Sequence, residues 1–119
     1  MGTIAVTISN TQPVDSTLNE FIVYGTLAFS GTYTANGDVL DLAGFSQLPS
    51  NSVPLRVEVY ENVPAGTAPT GYQFVFCPGT TQANGQLAIF STEGTQFSGA
   101  YGTTFAGGVA FRAWFQSFN

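Results

Sequence analysis

The segment LRVEVYE, residues 55–61, gives the clearest indication of the fold. Its first five residues alternate between aliphatic and polar side chains, so a strand made from them would turn one face to a core and the other to water. The stretch TIAVTI at residues 3–8 has the same period of two, with Ile4, Val6 and Ile8 on one parity. Both stretches predict β-strands.

Turn signals separate several segments of this kind. Asn36-Gly37 and Asn84-Gly85 each lie between extended segments, which is a strong signal for a two-residue hairpin. Residues 62–71 are rich in Pro, Gly and Thr, a composition typical of a stiff surface loop. Gly25 interrupts an apolar segment and predicts a β-bulge or a close approach of two backbones.

No segment shows the 3.6-residue apolar period of an amphipathic helix. Strand-like segments recur roughly every 8 to 12 residues. We therefore predict an all-β fold of about eight or nine short strands, either an antiparallel β-sandwich or a small β-barrel. The residues expected in its core are Val57, Val59, Phe74, Phe76, Leu87, Ile89, Phe111 and Phe115.

The chain has 119 residues, which is the length of one domain. Pro13 is expected to end the first strand, and the polar residues that follow it resemble a flexible link. We therefore divide the chain into an N-terminal strand or arm, residues 1–12, and a single β domain, residues 13–119. The arm is predicted to contact a neighbouring chain through Ile4, Val6 and Ile8; the alternative is an ordinary edge strand.

The composition excludes several function classes. The chain contains 7 acidic residues, 2 basic residues and no histidine, for a net charge of -5, and both basic residues are arginines. Imidazole bases, histidine metal ligands and Schiff-base lysines are thus absent. Two arginines cannot neutralise a run of phosphates, and no apolar run approaches the roughly 20 residues of a membrane span. We predict no enzymatic activity, no catalytic residues, no cofactor, no metal, and neither nucleic acid nor membrane as a partner.

The candidate chemical groups have simpler interpretations. Glu58 and Glu61 are a possible carboxylate pair for glycoside hydrolysis, but pairing of Glu58 with Arg56 is favoured. Asp38 and Asp41 follow a turn and lack the rest of a calcium loop. The one cysteine lies in the near-continuously apolar stretch YQFVFC, residues 72–77, which predicts a strand covered on both faces and a buried free thiol.

The stretch VAFRAWFQSF at residues 109–118 predicts a two-faced strand. One parity carries the apolar side chains of Val109, Phe111, Ala113 and Phe115, whereas the other carries Arg112, Trp114, Gln116 and Phe118. Trp114 and Phe118 are predicted partner contacts. Contact with another subunit or packing under a loop is favoured over stacking on a sugar ring.

Four stretches of the second half, residues 54–61, 64–72, 76–85 and 111–115, resemble small structural proteins of tailed bacteriophages and are similar to capsid decoration, or cement, proteins. The resemblance implies a β-rich protein that binds the major capsid protein on the outside of an icosahedral head. It implies a homo-oligomer, either a trimer or a dimer, that stiffens the shell. It also implies synthesis in the host cytoplasm, a final place on the virion surface, and no catalytic residues.

Two other functions fit the same residues. One is a carbohydrate-binding β-sandwich module, which should expose a flat row of aromatic rings in a groove. The other is an adhesion protein associated with a phage tail or fibre. A decoration protein should instead present a broad contact surface and an extended arm.

Overall fold

The computed structural model describes residues 2–15, 20–43 and 53–116. Seven strands and no helix occur in these ranges, which confirms the all-β class. Fewer strands form than the expected eight or nine, because residues 32, 96 and 100 take part only in isolated bridges. The strands are β1 (Gly2–Asp15), β2 (Glu20–Gly31), β3 (Asp38–Leu40), β4 (Arg56–Glu61), β5 (Gln73–Cys77), β6 (Gly85–Phe90) and β7 (Val109–Gln116).

The strands form two antiparallel sheets. The first has the order β1-β2-β7-β4 and the second the order β3-β6-β5. Both sheets contribute to one hydrophobic core, as Val23 and Phe111 of the first sheet and Leu40 and Ile89 of the second illustrate. The arrangement is therefore sandwich-like, which resolves the choice between sandwich and barrel.

The core contains all eight predicted residues, at two depths. Those on β6 and β7 are at most 1% exposed: Leu87, Ile89, Phe111 and Phe115. Those on β4 and β5 are half-buried and pack against the core: Val57, Val59, Phe74 and Phe76. The difference follows from strand order, because β4 and β5 each lie at the edge of their sheet.

Seven aromatic rings form an inner aromatic cluster: Phe29, Tyr33, Tyr72, Phe74, Phe97, Tyr101 and Phe105. Phe105 lies near its centre, with ring centroids 5.1 Å from Phe29, 5.4 Å from Phe74 and 5.7 Å from Tyr72. Phe97, Tyr101 and Phe105 were not among the predicted core residues. The sequence predicts a strand over residues 96–101, but they form only isolated bridges, and turns follow them.

The strand β1 extends beyond its expected end. It pairs with β2 from Gly2, opposite Gly31, to Asp15, opposite Glu20. Pro13 lies opposite Phe21 and does not end the ladder, so that expectation was wrong. Proline is tolerated there because β1 is an edge strand and the ladder can proceed without its N–H.

Gly25 lies opposite a bulge, as predicted. The pairing of β1 with β2 shifts register between Ile8 and Asn10, where Gly25 faces Ile8. A Cβ atom on Gly25 would lie 2.1 Å from the carbonyl oxygen of Thr7 and 2.6 Å from the Phe111 ring. Only glycine allows the two backbones to approach this closely.

The two Asn-Gly pairs form turns, but not the predicted hairpins. Asn36 and Gly37 have φ angles of 73° and 117°, and the chain passes there from β2 of one sheet to β3 of the other. Asn84-Gly85 ends the loop between β5 and β6, and β6 pairs with β5 rather than with residues 80–83. The Asn84 side chain organises this loop by accepting hydrogen bonds of 2.9 Å from the amides of Thr80 and Thr81.

The predictions for β5 were wrong in one respect. Cys77 is exposed, and exposure alternates along the strand, with Val75 46% exposed. The apolar run suggested cover on both faces, but β5 is an edge strand whose second face is turned outward. The sequence of a strand does not reveal its place in the sheet.

Candidate functional site

The candidate site is the side of the four-stranded sheet that faces away from the core. Residues at even positions of β2, β4 and β7 lie on this side, and the strand register brings them into rows. Arg112 lies between Glu58 and Tyr24, and Trp114 lies between Arg56 and Ile22. We call the following set the outer face: Ile22, Tyr24, Arg56, Glu58, Tyr60, Arg112 and Trp114.

The period of two along β7 produces the outer face. Val109, Phe111, Ala113 and Phe115 are buried, whereas Arg112 and Trp114 are half-buried. This confirms the two-faced strand predicted from the sequence. Phe118, the other predicted contact on this strand, lies outside the described residues.

Arg56 connects an acidic and an aromatic side chain. Its guanidinium carbon lies 4.7 Å from the centroid of the Trp114 ring, and its Nη2 donates a hydrogen bond to the Glu58 carboxylate. The predicted pairing of Arg56 with Glu58 is therefore confirmed. The two side chains are 64% and 36% exposed, so their ion pair contributes at most about 1 kcal/mol to stability. Its main effect is to hold the guanidinium over the indole.

Arg112 forms a second contact of this type. Its guanidinium carbon lies 5.7 Å from the centroid of the Tyr60 ring, and Tyr60 is itself 39% exposed. Both basic residues of the chain thus lie on one face, each beside an aromatic ring. Arginine, tryptophan and tyrosine are the residues that most often dominate binding energy at protein interfaces.

Glu61 has a local structural role. Its carboxylate accepts hydrogen bonds from the Thr70 amide at 2.9 Å, the Thr70 hydroxyl at 2.7 Å and the Gly71 amide at 3.0 Å. Burial raises the pKa of Glu61, but these hydrogen bonds outweigh burial and lower the pKa below its ordinary value. Glu61 closes the base of the exposed loop at residues 62–71, while Glu58 pairs with Arg56. The two carboxylates do not work as a pair.

Asp38 and Asp41 are also separate. Asp38 is 2% exposed, and its carboxylate accepts hydrogen bonds from the Gly2 amide at 3.1 Å and from the Tyr101 hydroxyl. Asp41 accepts a hydrogen bond of 2.9 Å from the Ala43 amide. Among the described residues, no group of three or more His, Cys, Asp or Glu side chains could hold a metal ion.

Burial and hydrogen bonding shift the pKa values of this internal pair. Burial raises the pKa of Asp38, but hydrogen bonds to its carboxylate, among them those from Tyr101 and Gly2, outweigh burial and lower the pKa. The pKa of Tyr101 is strongly raised, first by burial and then by its hydrogen bond to the Asp38 carboxylate. Both groups are buried and are hydrogen-bonded to each other, so their arrangement serves stability.

The three predicted contact residues of the arm face their own domain. Ile4 is buried, and Val6 and Ile8 are half-buried against the core. Together with Asp41 and Ala43 they line an open cleft of about 260 Å³. Their contact with a partner stays a prediction, and Val6 and Ile8 are the two that keep exposed surface for it.

Comparisons of the chain with models of protein families, with curated proteins and with solved structures find no match. In the described part of the chain, no helix is long and apolar enough to cross a membrane.

The sequence identified one residue of the outer face, Trp114, as a contact. It missed Tyr24, Tyr60 and the two arginines as members of the same surface. Each lies on the polar parity of its strand, which the alternation predicts. Their common location depends on the order β2-β7-β4, which joins strands far apart in the chain and leaves no local signal.

Proposed function

We propose that this protein is a non-enzymatic virion structural protein that decorates the outer capsid surface. Its partner is the major capsid protein, and its effect is to stabilise the shell. The observation that carries the proposal is the outer face, which gathers both arginines of the chain, its one tryptophan and two tyrosines on one side of a sheet. A surface of this kind binds another protein surface without needing a pocket.

The distribution of charge supports a protein partner with exposed carboxylates. Of the five acidic side chains that the structure describes, only Glu58 lies on the outer face. Guanidinium groups bind carboxylates in a bidentate geometry, and Arg112 retains donors for this purpose. The outer face is thus electropositive compared with the remaining surface of an acidic chain.

The buried titratable groups support a role without catalysis. Asp38, Tyr101 and Glu61 have shifted pKa values, and each is occupied by hydrogen bonds within the domain. A catalytic acid or base needs access to a substrate, which these arrangements do not provide.

The aromatic contacts favour a protein partner over a glycan. A sugar ring stacks on a free aromatic face. The Arg56 guanidinium occupies a position 4.7 Å from the Trp114 centroid, and Arg112 lies over Tyr60. The rings are therefore partly covered by charged groups that suit a carboxylate better than a pyranose.

The experiment is to look for the protein on particles. Virions from cells that make this protein are purified, their proteins are identified by mass spectrometry, and the heads are imaged by cryo-electron microscopy. We expect one regularly repeated density of 12.5 kDa per copy on the outer shell, and rebinding of purified protein to particles made without it.

Density on tails or fibres alone would instead favour the adhesion role. Absence from particles together with saturable binding to a glycan array would favour the carbohydrate-binding module. Either result would overturn the decoration function.

A further inference from the structure

The four sheet edges are protected to different degrees. Natural proteins prevent edge strands from pairing with other chains by keeping them short or by placing charges and prolines on them. The β4 edge carries three charged residues among six, and β3 and β5 have only three and five residues. The β1 edge has 14 residues. It is the longest of the four and carries its only charge at Asp15.

The two halves of β1 also differ. The second half contains the register shift after Ile8 and the proline at position 13, both of which interrupt pairing at an edge. The first half, residues 2–8, contains no charge, no proline and no bulge. Within the described ranges β1 pairs only with β2. The Gly2 amide donates to the Asp38 carboxylate, and the backbone of residues 3–8 has no strand on its other side.

Apolar side chains beside this edge are incompletely covered. Val6 and Ile8 are half-buried, and they line the open cleft together with Ile4. A strand added next to β1 would extend the inner side of the sheet and cover these side chains further. One added strand would therefore both pair with the open backbone edge of β1 and cover the apolar side chains beside it.

We propose that residues 2–8 of β1 pair in antiparallel orientation with the same residues of a second copy of the chain. An antiparallel pair of identical strands has a two-fold axis perpendicular to the sheet, so the contact closes at two copies. The product is a continuous eight-stranded sheet in which the two β1 strands lie at the centre. Both outer faces then lie on the same side of that sheet, and the dimer offers two binding surfaces in one direction.

Charge favours a second copy at this edge. Each chain has a net charge of -5, which opposes association through most of the surface. The uncharged segment at residues 2–8 is where two acidic chains meet with least repulsion. Salt screens the remaining repulsion, so dimerisation through β1 strengthens with ionic strength. A dimer held by the outer-face arginines would weaken with salt instead.

The test compares two double variants by sedimentation velocity across a range of micromolar concentrations. T3K/T7K places lysines on the exposed side of β1. T26K/S30K is the matched control, because Thr26 and Ser30 are the β2 residues opposite Thr7 and Thr3. All four side chains are exposed, and both variants change the net charge from -5 to -3.

We expect the wild type and T26K/S30K to form dimers whose association strengthens with salt. In T3K/T7K the lysines of the two copies lie close together where the β1 strands pair, and their repulsion raises the dissociation constant about tenfold or more. A wild type that stays monomeric at every concentration and salt level would overturn the proposal. Equal dimerisation of T3K/T7K and the control would also overturn it.

Hydrogen exchange of the wild type gives a second measurement that needs no variant. Amides of residues 3–8 that face away from β2 should gain protection as the concentration rises, while the exposed amides of Ala65, Gly66 and Ala68 should not. Unchanged exchange at residues 3–8 would contradict the dimer. Both measurements use the purified protein without particles, so their failure would leave the decoration function untouched.

Discussion

The inner aromatic cluster and the outer face use the same residue types in opposite surroundings. In the inner cluster, rings contact other rings, and the Tyr101 hydroxyl donates to the buried Asp38 carboxylate. On the outer face, the Trp114 and Tyr60 rings contact arginines and stay partly exposed. Burial among rings contributes to folding, whereas exposed rings beside guanidinium groups are available for binding. Substitutions in the two regions should therefore have separable effects.

The two regions should differ most in how much stability is lost when one aromatic ring is removed from each. F105A deletes a ring that is 7% exposed and lies within 5.1–6.1 Å of five others, and should lower the free energy of unfolding by about 3–5 kcal/mol. Y60A removes an exposed ring and should cost less than about 1 kcal/mol. Urea denaturation measures both. Equal losses would contradict the separation of the two regions.

A smaller loss of stability is expected when the buried hydrogen-bond acceptor Asp38 is replaced. D38A leaves the Gly2 amide and the Tyr101 hydroxyl without their carboxylate, and should cost about 1–3 kcal/mol. D41A is the matched control, because Asp41 is exposed and accepts one local hydrogen bond. Y101F combined with D38A should cost less than the sum of the two single variants. Additive losses would show that the two groups do not interact.

The dependence of stability on pH should show the contribution of the Asp38 carboxylate. The pKa of Asp38 is lower in the folded protein than in the unfolded chain, so its contribution is complete above the unfolded value. That contribution is lost as the pH falls through the folded pKa. Glu61 has a shift in the same direction. Urea midpoints should therefore fall below about pH 4 in the wild type and fall less in D38N. An identical slope in D38N would argue against the lowered pKa.

Local sequence patterns correctly predicted the features that depend on a single strand or on residues close to each other in the chain. The alternation in β4 and β7, the bulge opposite Gly25 and the pairing of Arg56 with Glu58 all depend on residues close in sequence. Each follows from the period of two in a strand or from the steric freedom of glycine.

Features that depend on strand order were not predictable. The outward side of β5, which exposes Cys77, follows from its place at an edge, and the flanks of Asn36-Gly37 belong to different sheets. The outer face has the same origin, because β7 lies between β2 and β4 in the sheet. In the sequence, 77 residues lie between Gly31 at the end of β2 and Val109 at the start of β7, and β4 is among them. Which strands become neighbours in a sheet depends on how the whole chain packs.

Whether the outer face binds the capsid is tested by measuring the binding of R56A/R112A to particles made without this protein, together with the melting temperature of the variant. The control is V39T/V75T, which alters two exposed valines on the outward side of the other sheet. We predict a melting temperature within about 3 °C of the wild type and particle binding at least about tenfold weaker for R56A/R112A, with wild-type binding for the control. Wild-type binding by R56A/R112A, or equal losses in both variants, would contradict the assignment of binding to the outer face.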